Sequence, residues 1–278
     1  MVGQDRNLTH FELLYHRLFL HELAKITEYS FGAHRFNFGT CTLGRGQIFK
    51  EKVLEFADTC GFKAYQQGLV DFFYSSPIDE FGFKVDWVNG FPRQIALYLR
   101  LTDGIKPDVM GRLTAALSSQ WSGVSPDKIS KQMLWDNPFC YSYRVDIEGH
   151  AGYAIYFETK FRVNQTEFLL SRLLKALEWN SEVKEKILTD LHSICTNQEN
   201  LCIGIDSDGN TVKIDVPGVS LSKIKTFLSG KTASIERIDD LLSFAKSSRQ
   251  LKSNYFALKY SKVGSSGWKS YFSILGEN

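Results

Sequence analysis

The sequence has no apolar run approaching the roughly 18 residues that a membrane-crossing helix needs. Its first residues, Met1 to Asn7, form no apolar stretch of the secretory kind. A soluble, cytoplasmic chain with no membrane partner is the expectation. Proline is scarce, with six in 278 residues, and neither a low-complexity segment nor a Gly/Ser linker separates two compositions, so residues 1–278 read as one domain. The five cysteines (Cys41, Cys60, Cys140, Cys195, Cys202) are an odd number and form no C-x-x-C pair, and no histidine follows at zinc-finger spacing. That excludes a disulfide framework and a zinc module, and leaves buried thiols in a reducing compartment. The N-x-T triplets at Asn7 and Asn164 are then chance matches.

Charge of either sign is not in surplus. The 33 basic and 31 acidic residues leave a formal +2, too balanced for a protein that lives on bulk attraction to nucleic acid. Several catalytic signatures are missing too. Asp239-Asp240 is followed by Leu241-Leu242-Ser243, not by the further aspartate of an isoprenoid-synthase metal site. Gly44-Arg45-Gly46 has no Lys-Ser/Thr and is not a P-loop, and neither G-x-S-x-G nor H-E-x-x-H occurs. No protein metal-ligand set is legible.

What is present is a repeated order of elements, in a chain with 43% hydrophobic and 14% aromatic residues. Phe83 to Trp87 alternates, breaks at Asn89-Gly90 and resumes over Gln94 to Leu101; Asn-Gly between alternating segments is the strongest short hairpin signal. Tyr143 to Ile147 and Tyr153 to Phe161 flank Gly149-His150. Leu201 to Ile205 and Val212 to Val216 flank Asp208-Gly209-Asn210, and Tyr255 to Tyr260 and Trp268 to Leu275 flank a Gly-Ser turn. A weaker hairpin is expected over 25–38, giving ten strands in all. Helical spacing appears at Ile48 to Ala57, Val109 to Trp121, Glu167 to Leu177, Glu182 to Cys195, Ser220 to Leu228 and Ser234 to Ala245, with Asn164 or Thr166, Ser220 and Ser234 as N-caps. The order is strand, strand, helix, helix.

One face of each hairpin is hydrocarbon: Phe83, Val85, Trp87; Ile95, Leu97, Leu99; Ile155, Phe157; Val212, Ile214, Val216. The other carries Lys84 and Asp86, Tyr98 and Arg100, Arg144 and Asp146, Tyr156, Glu158 and Lys160, Lys213 and Asp215, then Tyr255 and Lys259. A flat sheet covered by helices on one side would leave these groups in bulk water, where Lys213 with Asp215, or Arg144 with Asp146, would merely balance each other. Ten strands tend to curl or close, however. Closed with the helices outside, they would line one central chamber rich in Arg, Lys and Tyr, an anion-binding site.

At these residues the sequence resembles the aromatic prenyltransferases of the ABBA type, and within them the cyanobactin prenyltransferases that modify ribosomal peptides. Ala33-His34-Arg35-Phe36 is similar to the family's small-small-Arg-Phe strand, with Lys25-Ile26 at the expected distance before it. Val85-Asp86-Trp87 through Leu97-Tyr98-Leu99-Arg100 resembles its hydrophobic-Asp hairpin, and Tyr156-Phe157-Glu158 its Tyr-x-Glu strand. The resemblance implies an α+β fold: a ten-stranded antiparallel β-barrel surrounded by helices, built from ββαα units. It implies transfer of a C5 or C10 isoprenyl group from dimethylallyl or geranyl diphosphate to a peptide, with magnesium, if any, carried on the diphosphate. A monomer is expected.

Carried over residue by residue, Arg35 and Arg100 become diphosphate ligands and Tyr156 a ligand or cation shield. The family's Lys four residues before the second Arg is Ala96 here, so that contact would come from Lys84, Lys160, Lys213 or Lys259. Tyr98 would stand beside the diphosphate or the cation. Tyr255, Tyr271, Asp146 and Asp215 would face the cation or the acceptor, although a strand tyrosine is most often a packed amphipathic side chain. The family's first-strand acid aligns near His21-Glu22, which makes Glu22 the base, with Asp86 and Glu158 as alternatives by orientation. Acids and bases in one chamber suit a cationic Arg acceptor; a Trp or Tyr acceptor needs fewer carboxylates. A non-catalytic barrel that binds an anionic lipid, a nucleotide or a partner protein would need the basic lining alone.

Overall fold

The computed structural model describes residues 8–20, 27–32, 37–62, 66–75, 80–100, 129, 139–158, 163–195, 200–231, 238–243, 254–264 and 266–274. Glu22, Arg35 and Lys160 lie outside the described residues, as do the helix expected over Val109 to Trp121 and the cap expected at Ser234.

Among the described residues ten strands form: β1 (Thr27–Gly32), β2 (Asn37–Arg45), β3 (Glu80–Val88), β4 (Phe91–Arg100), β5 (Cys140–Asp146), β6 (Ala151–Glu158), β7 (Cys202–Asp206), β8 (Thr211–Pro217), β9 (Tyr255–Ser261) and β10 (Ser266–Ile274). Each pairs antiparallel with its sequence neighbour, and β10 pairs with β1, so the sheet closes into a barrel without an edge. The turn chemistry explains the hairpins locally. Asn89 and Gly90 have φ of 54° and 79°, the left-handed pair that matches a two-residue turn to the twist of its strands. Between Asp86 and Trp87 the β3–β4 register shifts, leaving Arg93 unpaired at a bulge that turns it toward the barrel mouth.

Among the described residues the helices include α1 (His10–Tyr15), continued by a π-helical turn at His16–Leu20, α2 (Gly46–Thr59), α3 (Gln66–Ser75), α4 (Val163–Ala176), α5 (Ser181–Ile194) and α6 (Leu221–Ser229), and residues 238–243 are helical as well. Ser220 caps α6 as expected, accepting from the Lys223 N–H, and Asn180 caps α5. The expectation for α4 is corrected: it begins at Val163, so Asn164 and Thr166 lie inside its first turn. α1 and α3 carry no strong sequence signal. α1 is only six residues long and is held by a capping box, in which Thr9 accepts from the Glu12 N–H while Glu12 accepts from the Thr9 N–H.

The hydrocarbon strand faces point outward, under the helices. Phe83, Val85, Ile95, Leu97, Leu99, Ile155, Phe157, Val212, Ile214 and Val216 are all fully buried there. Beside them Tyr15, Phe19, Phe56, Phe83 and Trp87 form one aromatic cluster, each ring stabilising the fold by about 1.5–3 kcal/mol through burial. Tyr15 keeps its hydroxyl satisfied against Thr42 Oγ1 at 2.6 Å. With the apolar faces turned out, the polar faces have only the barrel interior left.

Candidate functional site

The interior holds a cavity of about 570 Å³ that opens at the hairpin-turn end, where Val88, Arg93, Ile147 and Glu148 form its rim. Its volume follows from a cross-strand pattern. Most long chamber side chains stand opposite a glycine: Arg144 opposite Gly152, Lys213 opposite Gly204, Lys259 opposite Gly267, Lys269 opposite Gly32, Asp86 opposite Gly39 and Tyr98 opposite Gly82. A Cβ at Gly39 would sit 2.7 Å from Asp86 Oδ1, and one at Gly204 would sit 2.6 Å from the Tyr156 ring. Larger residues at these positions would fill the chamber.

Of the residues expected from sequence, Lys84, Asp86, Tyr98, Asp146, Tyr156, Lys213, Lys259 and Tyr271 line this cavity. Asp215 joins them through Lys213, whose Nζ donates to it at 2.9 Å. Arg100, Glu158 and Tyr255 share the inward parity but not the cavity. They end β4 and β6 and begin β9, at the opposite mouth of the barrel, where all three are exposed. Parity selects the face, but each further pair of residues moves about 6.6 Å along the strand. The sequence reading also missed Lys269 and Asp206, and paired Arg144 with Asp146. Arg144 instead donates to Asp206 on β7 at 2.5 Å. Asp146 shapes the β5–β6 turn, accepting from the backbone N–H groups of Glu148 and His150. Lys269 follows the same alternation as Tyr271, which is the signal that could have found it.

The deepest part of the cavity is a set of rings with ammonium groups against them. Lys84 Nζ lies 4.9 Å and Lys213 Nζ 4.8 Å from the Tyr271 ring centre, and Lys213 lies 5.8 Å from that of Tyr156. The Tyr98 and Tyr156 rings stand 6.0 Å apart. Burial pushes the Tyr156 phenol up to about 12 and raises that of Tyr98 as well, so these two rings stay neutral.

Above them, Asp86 Oδ1 accepts from Lys269 Nζ at 2.7 Å and faces Lys84 Nζ at 3.6 Å. Burial alone would raise the Asp86 carboxyl, but the charges of Lys269 and Lys84 and their hydrogen bonds hold it well below the usual carboxylate range. Lys269 responds the other way. Burial, helped by the like charges of Lys84 and Lys213, outweighs Asp86 and lowers its ammonium to about 7. Burial also lowers Lys259, with Arg144 and Lys213 adding to it, whereas Asp215 keeps Lys213 charged despite burial.

Metal ligands cluster at one place among the described residues, Asp146, Glu148 and His150 on the rim. Each is already engaged: Asp146 with the turn and His150 Nδ1, and Glu148 with Arg93 at 2.9 Å. The cysteines are free thiols, and burial pushes those of Cys60 and Cys140 up to about 12, so they are inert. No described helix is long and apolar enough to cross a membrane.

No family model and no curated protein matches the chain. Solved structures do. 5-Dimethylallyltryptophan synthase from Streptomyces coelicolor aligns at 10% identity with a TM-score of 0.61, covering 88% of this chain and 80% of that one. The prenyltransferase PriB, bound to L-tryptophan and dimethylallyl thiolodiphosphate, aligns at 12% identity and a TM-score of 0.59, over 89% and 79%. AnaPT from Neosartorya fischeri aligns at 12% and 0.56, over 90% and 78%. At these identities the likeness is one of architecture, and it agrees with strand count, closure and helix placement: the chain has the α+β barrel fold of the ABBA-type aromatic prenyltransferases.

Proposed function

We propose that the chain is a prenyltransferase that moves an isoprenyl group from dimethylallyl or geranyl diphosphate to a side chain of a cyclic or linear ribosomal peptide, as cyanobactin prenyltransferases do. The observation that carries this reading is the Tyr271 ring with the ammonium groups of Lys84 and Lys213 4.9 Å and 4.8 Å from its centre, and with Tyr98 and Tyr156 on the same cavity. Cations suit the diphosphate, and ring faces that already hold cations suit an allyl cation.

In the reaction the C1–O bond of the donor breaks and its electron pair leaves with the diphosphate. The growing charge there is met by Lys84, Lys213, Lys259 and Arg144. By resemblance Arg35 is a further ligand. Arg100, at the opposite mouth, is the ligand this arrangement favours least. The tyrosine rings shield the cation from water while the acceptor's electron pair forms the new bond to C1. The acceptor proton then passes to a carboxylate, Glu22 by resemblance or Asp86 by its place in the chamber. Magnesium, if used, enters on the diphosphate oxygens.

Asp86 favours an aromatic acceptor. A carboxyl held so far below its ordinary range takes a proton only from a strong acid. The cationic adduct of an alkylated Trp or Tyr ring is such an acid. An Arg guanidinium, with a pKa above about 12, is not. Similar structures solved with tryptophan support the same preference. The peptide reading is supported by Phe91 and Ile147, apolar side chains 54% and 41% exposed at the turn end of the barrel, where an acceptor larger than the cavity would lean.

The test is incubation with each donor and a panel of free tryptophan and of peptides bearing Trp, Tyr or Arg, with and without magnesium, read by mass spectrometry. Prenylated Trp or Tyr peptides are expected. Asp86→Asn, Glu22→Gln and Glu158→Gln then identify the base. Donor binding without product on any acceptor would replace this reading by a barrel that only binds an anionic ligand.

A further inference from the structure

We infer that Gln94 is the residue by which the barrel recognises a peptide acceptor. Its side-chain amide hydrogen-bonds a main-chain amide flanking the acceptor residue, and Phe91, on the same face of β4, takes the side chain of a neighbouring residue. The inference rests on the proposed function and names what selects its acceptor. Its basis is the order of side chains along β4. Tyr98 stands with Tyr156 among the deepest rings, Ala96 lies opposite Lys84 and Arg144, and Gln94 lies opposite Asp86 and Asp146. Phe91 follows at the turn end, 54% exposed and with its ring 5.8 Å from that of Phe11.

Simple alternation would put Phe91 and Gln94, three residues apart, on opposite faces. The bulge at Arg93 changes the count: Gln94 pairs with Asp86 and Phe91 with Val88, and both partners lie on the cavity side of β3. An amide and an apolar ring are thereby stacked in depth on one wall. Four residues separate Gln94 from Tyr98, roughly 10 Å along the barrel axis at about 3.3 Å per residue and the usual strand tilt. An acceptor ring resting on the tyrosines holds its own main chain near Gln94 and its neighbours near Phe91.

The chemistry at that level selects a peptide over a free amino acid. Gln94 lines the cavity and makes no side-chain hydrogen bond among the described residues. The charges around it are already answered: Asp86 accepts from Lys269, Asp146 accepts from its turn and faces His150, and Arg93 is paired with Glu148. The ammonium and carboxylate of a free amino acid would have to break those pairs. A neutral carboxamide, with two N–H donors and an accepting oxygen, instead matches the amide that flanks every residue inside a peptide.

The test compares kcat and KM for four Trp acceptors: the free amino acid, N-acetyltryptophanamide, a blocked peptide with apolar residues on both sides of Trp, and that peptide N-methylated at either amide flanking Trp. In the wild type one of the two methylations should lower kcat/KM roughly 3- to 10-fold, the scale of a neutral hydrogen bond, and chiefly through KM. Gln94→Met, of similar length, should lose the same factor on the unmethylated peptide, no longer distinguish the methylated ones, and keep its turnover of free tryptophan. Phe91→Ala should weaken the peptide but not N-acetyltryptophanamide, which has no neighbouring side chain. Calorimetry with dimethylallyl thiolodiphosphate, an unreactive donor, checks that each variant is folded. A wild type indifferent to both methylations overturns the inference without any variant. Equal losses of Gln94→Met on free tryptophan and on the peptide overturn it too, as does a wild type that prenylates free tryptophan but no peptide, a result that leaves prenyl transfer standing. Failure of the folded wild type to prenylate any acceptor overturns the proposed function and the inference with it.

Discussion

Replacing Gly204 by Ala tests whether chamber space is what the glycines provide. Gly204 lies on β7 between Tyr156 on β6 and Lys213 on β8, and the added methyl would stand 2.6 Å and 2.8 Å from two carbons of the Tyr156 ring. Ordinary contact begins at 3.4 Å, so the ring must retreat by about 0.8 Å, and its way out is into the cavity. Overpacking of this kind costs about 1–3 kcal/mol. In a chain of this size that lowers the melting temperature by about 2–8 °C. A shift near 1 Å in a group that guards the reacting centre costs on the order of 100-fold in turnover.

Gly267→Ala is the control. It lies on the same chamber wall, opposite Lys259, with nothing within 4 Å of its added methyl. Melting temperatures and steady-state turnover with a saturating donor would be compared for the two variants. A Gly204→Ala protein as stable and as active as Gly267→Ala would refute the packing argument. Recovery of stability, but not of turnover, when Tyr156→Leu is added to Gly204→Ala would support it.

Tyr271→Leu keeps the apolar volume but removes the ring that both Lys84 and Lys213 approach. Since a ring face attracts a cation by about 0.5–2 kcal/mol, kcat should fall roughly 2- to 30-fold, with a smaller change in donor Kd measured by calorimetry. An equal loss in both would assign Tyr271 to donor binding instead. Arg144→Ala leaves the buried Asp206 carboxylate without its partner, and urea unfolding should show a loss of about 1–3 kcal/mol, below the cost for a fully buried pair because Arg144 is 30% exposed. Adding Asp206→Ala should restore part of that loss, and strict additivity of the two changes would remove the pair as the cause.

Much of the fold is written locally. Asn89-Gly90 declares a hairpin because both residues accept the left-handed backbone its turn requires. The alternation from Phe83 to Trp87 and from Val212 to Val216 separates a wet face from a dry one with no help from distant residues. Ser220 marks the start of α6 because its hydroxyl reaches the Lys223 N–H within the same turn. α1 escapes this reading because six residues are too short for a periodic pattern, and its place is set by contacts far along the chain, including the bond from Thr9 Oγ1 to the Gly90 carbonyl.

The site divides in the same way. Period-two alternation by itself determined that Lys84, Asp86, Tyr98, Tyr156 and Lys213 share a face, because side-chain direction in a strand is a property of neighbouring residues. Depth along the barrel and choice of partner were decided only by the tertiary structure. Arg100 and Glu158 have the same parity as the chamber residues yet reach the opposite mouth, and Arg144 meets Asp206 from 62 residues away rather than its neighbour Asp146. The reason is stagger: closing ten strands fixes how far each slides against the next, and that sum over the whole sheet sets which charges meet across the interior. The single carboxylate shared by Lys84 and Lys269 is a product of that closure, since β3 and β10 come together only when the last strand finds the first.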